Sequence, residues 1–240
     1  MQYTHPPARN CFPLSRAVPA GVFLVVSMFF PAHAANFSVS PIIRDIPAET
    51  GIAVFEITNQ DDQPLSFQVQ AFSWTQRNGE DVREPAEDLL VVPPVATVAA
   101  DRTQIVRVAL RNPDRSREHA YRVVIRELPK QDEDSRGLAL QTLLAFDVPL
   151  FFAAEDATRE LAWRVSNRGA GKLLVSADNI GTRFARFDSI RVMGPGDQRI
   201  AVIKGPLYIL AGARQSWEVT PNPGSNLSDG APVKLVYSSF

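Results

Sequence analysis

Gly137-Leu-Ala-Leu-Gln-Thr-Leu-Leu-Ala-Phe-Asp-Val-Pro-Leu-Phe-Phe152 is the stretch around which the chain is organised. It is long for a strand and follows a polar loop, Pro129 to Arg136. Successive side chains of a strand point to opposite faces. One parity carries Leu138, Leu140, Thr142, Leu144 and Phe146; the other carries Ala139, Gln141, Leu143, Ala145 and Asp147. Bulk therefore collects on one face. A core strand of a β-sandwich is one reading of this pattern. The other is a sheet edge that offers unpaired backbone groups and a row of apolar side chains to another chain. Natural proteins usually suppress such edges because they template aggregation. A strand that keeps one is suited to donation to a partner.

Working outward, residues 1–34 read as an export leader. Arg9 and Arg16 supply the positive flank, Val18 to Phe30 the apolar run, and Ala32-His33-Ala34 the small-x-small end of a signal peptide. The run is short for a membrane span of about 20 residues, so cleavage after Ala34 or Ala35 is expected, with no stable membrane insertion afterwards. Cleavage after Ala34 leaves 206 of the 240 residues. Cys11 is the only cysteine and departs with the leader, so disulfides and zinc-thiolate sites are excluded from the mature chain. An exported chain without disulfides must rest on packed cores, and this length can supply one or two.

The leader holds two of the 25 basic residues and none of the 26 acidic ones, which leaves a mature net charge of −3. No Lys/Arg run marks a nucleic-acid surface. His5 and His33 also leave, and His119 stands alone beside Glu118, so a Ser-His-Asp or Cys-His apparatus has no material. There is no Gly-rich phosphate loop and no paired-histidine metal motif. The expectation is a protein that is not an enzyme and needs no cofactor.

The rest reads as short strands between turns, hence an all-β fold. Strands are expected at Phe37 to Ile43, Gly51 to Thr58, Leu65 to Trp74, Asp88 to Val95, Thr103 to Leu110 and Ala120 to Leu128. Pro93-Pro94 suggests a strand that changes sheet, and Asn78-Gly79 a tight turn. Phe72 and Trp74 fall on the polar parity of their strand, which implies cover over its far end. This spacing suits an immunoglobulin-like sandwich. Ala153 to Arg159 reads as a linker. A second set follows at Leu161 to Val165, Gly171 to Ala177, Asp188 to Met193, Ser216 to Val219 and Val233 to Tyr237. The expected architecture is two immunoglobulin-like sandwiches, 35–152 and 153–240, joined at an angle with a cleft between them.

In this order the segments resemble the PapD-like periplasmic chaperones of the chaperone–usher pathway. Tyr121-Arg-Val-Val-Ile-Arg-Glu-Leu-Pro129 is similar to the family's Arg-Glu-Ile-Pro segment. Gln70-Ala-Phe-Ser-Trp-Thr-Gln76 and Asp88-Leu-Leu-Val-Val-Pro-Pro94 resemble the archaic branch that assembles spore-coat-U-type pili. The resemblance implies a periplasmic chaperone that lends its long strand to pilus subunits, which are sandwiches lacking their last strand, and delivers them to an outer-membrane usher. Leu138, Leu140, Thr142, Leu144 and Phe146 are the side chains expected to fill the subunit's groove, with the opposite parity as the alternative. Arg44 is the expected anchor for the subunit's terminal carboxylate, by the fork geometry of its guanidinium. The family's second basic anchor is absent, since 137–152 holds no Lys or Arg; Arg122 or Arg126 is the candidate substitute. Arg107, Glu127 and Asp229 match a charge network that links the two domains. The competing readings are a secreted two-domain adhesin or fibre protein, and an exported sandwich enzyme or carbohydrate-binding module. Trp74, Trp163 and Trp217, all within strand-like runs, are expected to pack in cores rather than line a sugar site.

Overall fold

Two pairs of stacked β-sheets account for the whole of a computed structural model, which describes residues 36–111, 118–129, 142–169, 171–225 and 233–239. The leader, Leu138, Leu140 and Asp229 lie outside the described residues. In the first pair, β1 (Phe37–Ser40), β3 (Ile52–Asn59), β8 (Thr103–Leu110) and β6 (Leu89–Val92) form a sheet in the order β1-β3-β8-β6. The facing sheet runs β2-β10-β9-β4-β5, built from β2 (Arg44–Pro47), β10 (Ala145–Ala153), β9 (His119–Glu127), β4 (Leu65–Arg77) and β5 (Glu80–Pro85). A sixth strand, β7 (Val95–Val98), pairs with β4. The expected first strand is thus two, β1 and β2, parted at Pro41, which cannot donate to a ladder. Pro93-Pro94 likewise separates β6 and β7 into different sheets.

Alternation explains the core. Phe55, Ile57, Phe67, Val108, Val123, Ile125, Leu150 and Phe152 are fully buried between the two sheets. Each such side chain contributes about 1.5–3 kcal/mol on transfer from water. Asn78 and Gly79 both have positive φ, 54° and 81°, the backbone required by the two-residue turn that joins β4 to β5.

The second pair is smaller: β11 (Leu161–Gly169), β12 (Lys172–Asn179) and β15 (Arg214–Val219) face β14 (Arg199–Ile209), β13 (Ala185–Met193) and β16 (Lys234–Ser239). Its core contains Val175, Phe187, Ile190, Val192 and Ile209. β14 has no counterpart among the strands expected from sequence. It carries Gly205-Pro206, which interrupts both alternation and ladder pairing and slips the register against β13. Both sandwiches use one device at a strand end. Asn59 closes β3 by donating to Gln63 O and Val98 O, and Asn179 closes β12 by donating to Arg183 O and Ile209 O.

The two sandwiches share apolar contacts. Trp74 and Phe151 belong to strands of the first sandwich, yet they pack in the second core. Phe151 stacks on Phe184 at 3.7 Å, and Trp74 meets Tyr208 edge-on at 5.2 Å. Cover over the far end of β4 is therefore supplied by the second sandwich.

Candidate functional site: a half-open strand edge beside a charged cleft

β10 is an edge strand over part of its length. Residues Ala145 to Phe152 pair with β9, whereas only Leu150 to Ala153 pair in parallel with β2. Among the described residues, Ala145 to Pro149 thus have a strand neighbour on one side only. Directly opposed residues of an antiparallel pair alternate between bonded and non-bonded positions. The Glu127 N–H donates to Leu144 O at 2.9 Å, which assigns the even positions of β10 to β9. The Ala48 N–H donates to Ala153 O, which assigns the odd positions to the other side. Ala145 and Asp147 therefore turn N–H and C=O groups toward the open edge. Pro149, which has no N–H, occupies the same parity.

Side chains alternate too. Val148, Leu150 and Phe152 point into the first core, and Leu144 and Phe146 continue that row as partly buried groups packed against it. The Phe146 ring meets Phe37 edge-on at 5.0 Å. Thr142 is exposed and precedes the strand. On the other parity Leu143 is 38% exposed. The described part of the row expected to be donated, Leu144 and Phe146, is thus the rim of the first core, not a separate face.

The basic residues named for the anchor fall in different places. Arg44 donates from Nε and Nη2 to Val54 O at 3.2 and 3.0 Å, and it does not line the cleft between the sandwiches. Arg122 and Arg186 do line it, with Ile42, Pro149, Leu207 and Trp217 among the walls. The Arg122 guanidinium lies 3.7 Å over the Trp74 ring and 5.4 Å from Tyr208. Burial pulls Arg122 below its ordinary pKa, opposed by the Asp147 carboxylate. Asp147 accepts from Arg83 at 2.6 Å and stands 3.7 Å from Arg122 Nη1.

Of the expected brace, Arg107 and Glu127 are described, whereas Asp229 lies outside the described residues. Arg107 lies between buried Val106 and Val108, so alternation turns it to solvent. Glu127 shares the inward parity of Tyr121, Val123 and Ile125 and is 2% exposed. Its Oε2 accepts the Leu144 N–H at 3.1 Å, so it clamps the entry to β10 inside the first sandwich. The sandwiches are linked by other residues. Gln76 donates to Tyr208 O and accepts from Leu210 N–H, each at 3.0 Å. Glu118 Oε1 accepts the Phe184 N–H at 2.9 Å, and Arg183 pairs with Asp45. Sequence reasoning missed Gln76 and Glu118; the placing of Gln76 on the covered end of β4 was the one available signal.

No group of three or more His, Cys, Asp or Glu side chains is arranged to hold a metal among the described residues. No helix among them is long and apolar enough to cross a membrane.

A partly open edge strand on the first of two β-sandwiches, set beside the cleft between them, is the arrangement the comparisons bear on. Residues 44–158 match the family model for the N-terminal domain of PapD, the pili and flagellar-assembly chaperones, so this part of the chain is PapD-like. Solved structures share the two-sandwich fold. The chaperone–tip adhesion subunit complex CsuC–CsuE from the archaic Csu pili of Acinetobacter baumannii matches at TM-score 0.60 and 20% identity, over 85% of this chain and 98% of that one. The Salmonella enterica SafB chaperone–SafA pilin complex matches at 0.58 and 19%, over 87% and 98%. The E. coli chaperone DraB matches at 0.58 and 15%, over 85% and 96%. No curated protein sequence matches the chain.

Proposed function

We propose that this chain is a periplasmic chaperone that caps pilus subunits by donating β10 and its upstream extension, and passes them to an outer-membrane usher. The observation that carries this reading is the edge at Ala145 to Pro149, which has no second strand neighbour among the described residues and adjoins a core-facing apolar row. A subunit lacking its last strand would pair with that edge. It would receive Leu138, Leu140, Thr142, Leu144 and Phe146, the parity shared with Val148, Leu150 and Phe152. Burying four or five such side chains contributes roughly 1.5–3 kcal/mol each before ordering costs. The mature chain would begin after the leader at 1–34, with the donor domain at 35–152 and the second at 153–240.

The subunit's terminal carboxylate would enter the cleft. Arg44 is engaged with Val54 O, so Arg122 is the better candidate to receive it. The similarity to CsuC–CsuE and SafB–SafA, complexes of a chaperone with a tip adhesion subunit and with a pilin, supports the partner class.

The test is co-expression with small exported β-rich proteins encoded nearby, followed by affinity capture from the periplasm. A one-to-one complex with the wild type, lost when Leu140→Glu and Leu144→Glu are combined, is the expected outcome. Capture that survives the double substitution would remove this row as the donated one. No capture by the wild type would favour a fibre-forming role instead.

A further inference from the structure

Where the sequence lacks a basic residue on the long strand, the structure has an acid in the cleft. Asp147 sits on the odd, cleft-facing parity of β10 and lines the cleft with Arg122. Its Oδ2 is held by Arg83 Nη1 at 2.6 Å, while its Oδ1 is 3.7 Å from Arg122 Nη1. The second distance is an ion pair without a hydrogen bond. Arg122 has a side chain only 13% exposed, stacked on Trp74, and its Nε is buried without an acceptor among the described residues. A guanidinium carries five donors in a planar fork matched to a carboxylate. Here the cation is held in place by a ring, faced by a carboxylate, and left short of bidentate contact. Arg186, the other guanidinium of the cleft, is countered by Asp188 at 3.3 Å.

We propose that Asp147 is a resident counter-ion for Arg122, a stand-in that a partner's terminal carboxylate must displace or share the cation with. This rests on the reading above, in which the cleft receives that carboxylate. Asp147 lowers the affinity of the empty cleft for any free carboxylate and holds the guanidinium ready over Trp74. Its backbone faces the open edge of the same strand, so a partner that pairs there meets the ion pair at once. A carboxylate arriving without a strand has to compete with Asp147 alone. The device selects for the terminus of a docked strand over small free acids.

The experiment uses the mature chain and a defined probe, an N-acetylated alternating threonine–valine heptapeptide, once with a free terminal carboxylate and once as its amide. The readout is the ratio of the two dissociation constants. The wild type should prefer the acid form. Asp147→Asn should raise that preference by up to about fivefold, the worth of a partly exposed ion pair of this kind, and Asp147→Ser should do the same if the asparagine variant folds poorly. Arg122→Gln should abolish the preference in either background. An unchanged or smaller ratio in both Asp147 variants, with Arg122→Gln still abolishing it, overturns the counter-ion role and leaves the cleft reading standing. A preference that survives Arg122→Gln overturns the cleft reading itself, as does failure of either peptide to bind the wild type and the Asp147 variants.

Discussion

A carboxyl group lodged between two sandwiches, with one backbone N–H to bind it, keeps its proton. Burial is the main cause that pushes Glu118 up to about 8 from an ordinary 4.5, and the nearby Asp45 adds to it. The Phe184 N–H, Arg183 and Arg159 pull the other way without prevailing. Oε2 is buried with no partner among the described residues, so ionisation would leave a charge poorly solvated there. The folded-state value is raised, so the group's contribution is complete below about 4.5 and falls as pH rises through about 8. The mature chain should therefore lose melting temperature between about pH 4.5 and 8, and Glu118→Gln should flatten that loss. Parallel pH profiles for the two proteins would assign the titration to another group. None of this was legible in the sequence. Glu118 is 66 residues from Phe184, and periodicity says nothing about which strand end meets which loop.

At the scale of elements, alternation was the most legible signal, and β10 shows both its reach and its end. The parity of Leu144, Phe146, Val148, Leu150 and Phe152 reads directly from the sequence, and it is the parity that faces the first core. Phe151 breaks the simple reading, because its parity is covered as well. It is fully buried in the second core, stacked on Phe184. One strand thus supplies both cores at adjacent positions. Phe151→Ala should cost about 3–5 kcal/mol, the range for a large aromatic truncated in a packed core. It should also lower the stability of both sandwiches together in chemical denaturation. A loss below about 1 kcal/mol would mean that the joint collapses to fill the space. β14 was missed for an opposite reason: Gly205-Pro206 breaks its alternation, and its pairing is secured by β13 despite the slip in register. For Arg107 and Glu127 the motif fixes positions along strands, while the face each residue takes follows from its buried neighbours.

The relation of the two sandwiches rests on few polar contacts, and Gln76 makes the most complete set. Its Nε2 donates to Tyr208 O and to Asp81 Oδ1, and its Oε1 accepts from Leu210 N–H. One side chain of β4 thereby satisfies both a carbonyl and an N–H of the segment that ends β14, much as a neighbouring strand would. It lines the cleft together with Trp74 and Arg122, so the clip fixes how far apart the cleft walls stand. Removing it leaves Tyr208 O and Leu210 N–H unpaired at a partly buried joint, at about 1–3 kcal/mol for each group that water cannot reach. Gln76→Ala should widen the spread of angles between the sandwiches, visible as a larger radius of gyration in solution scattering, and should weaken subunit capture with the β10 row intact. Gln76→Glu separates the contributions. It keeps the acceptor for Leu210 but loses the donor to Tyr208, and it sets a second carboxylate against Asp81. If the clip sets the cleft, the glutamate variant should open it at neutral pH and close it again as the carboxyl is protonated in acid. A scattering profile unchanged in both variants would place the control of the angle in the aromatic stack of Phe151 on Phe184 alone.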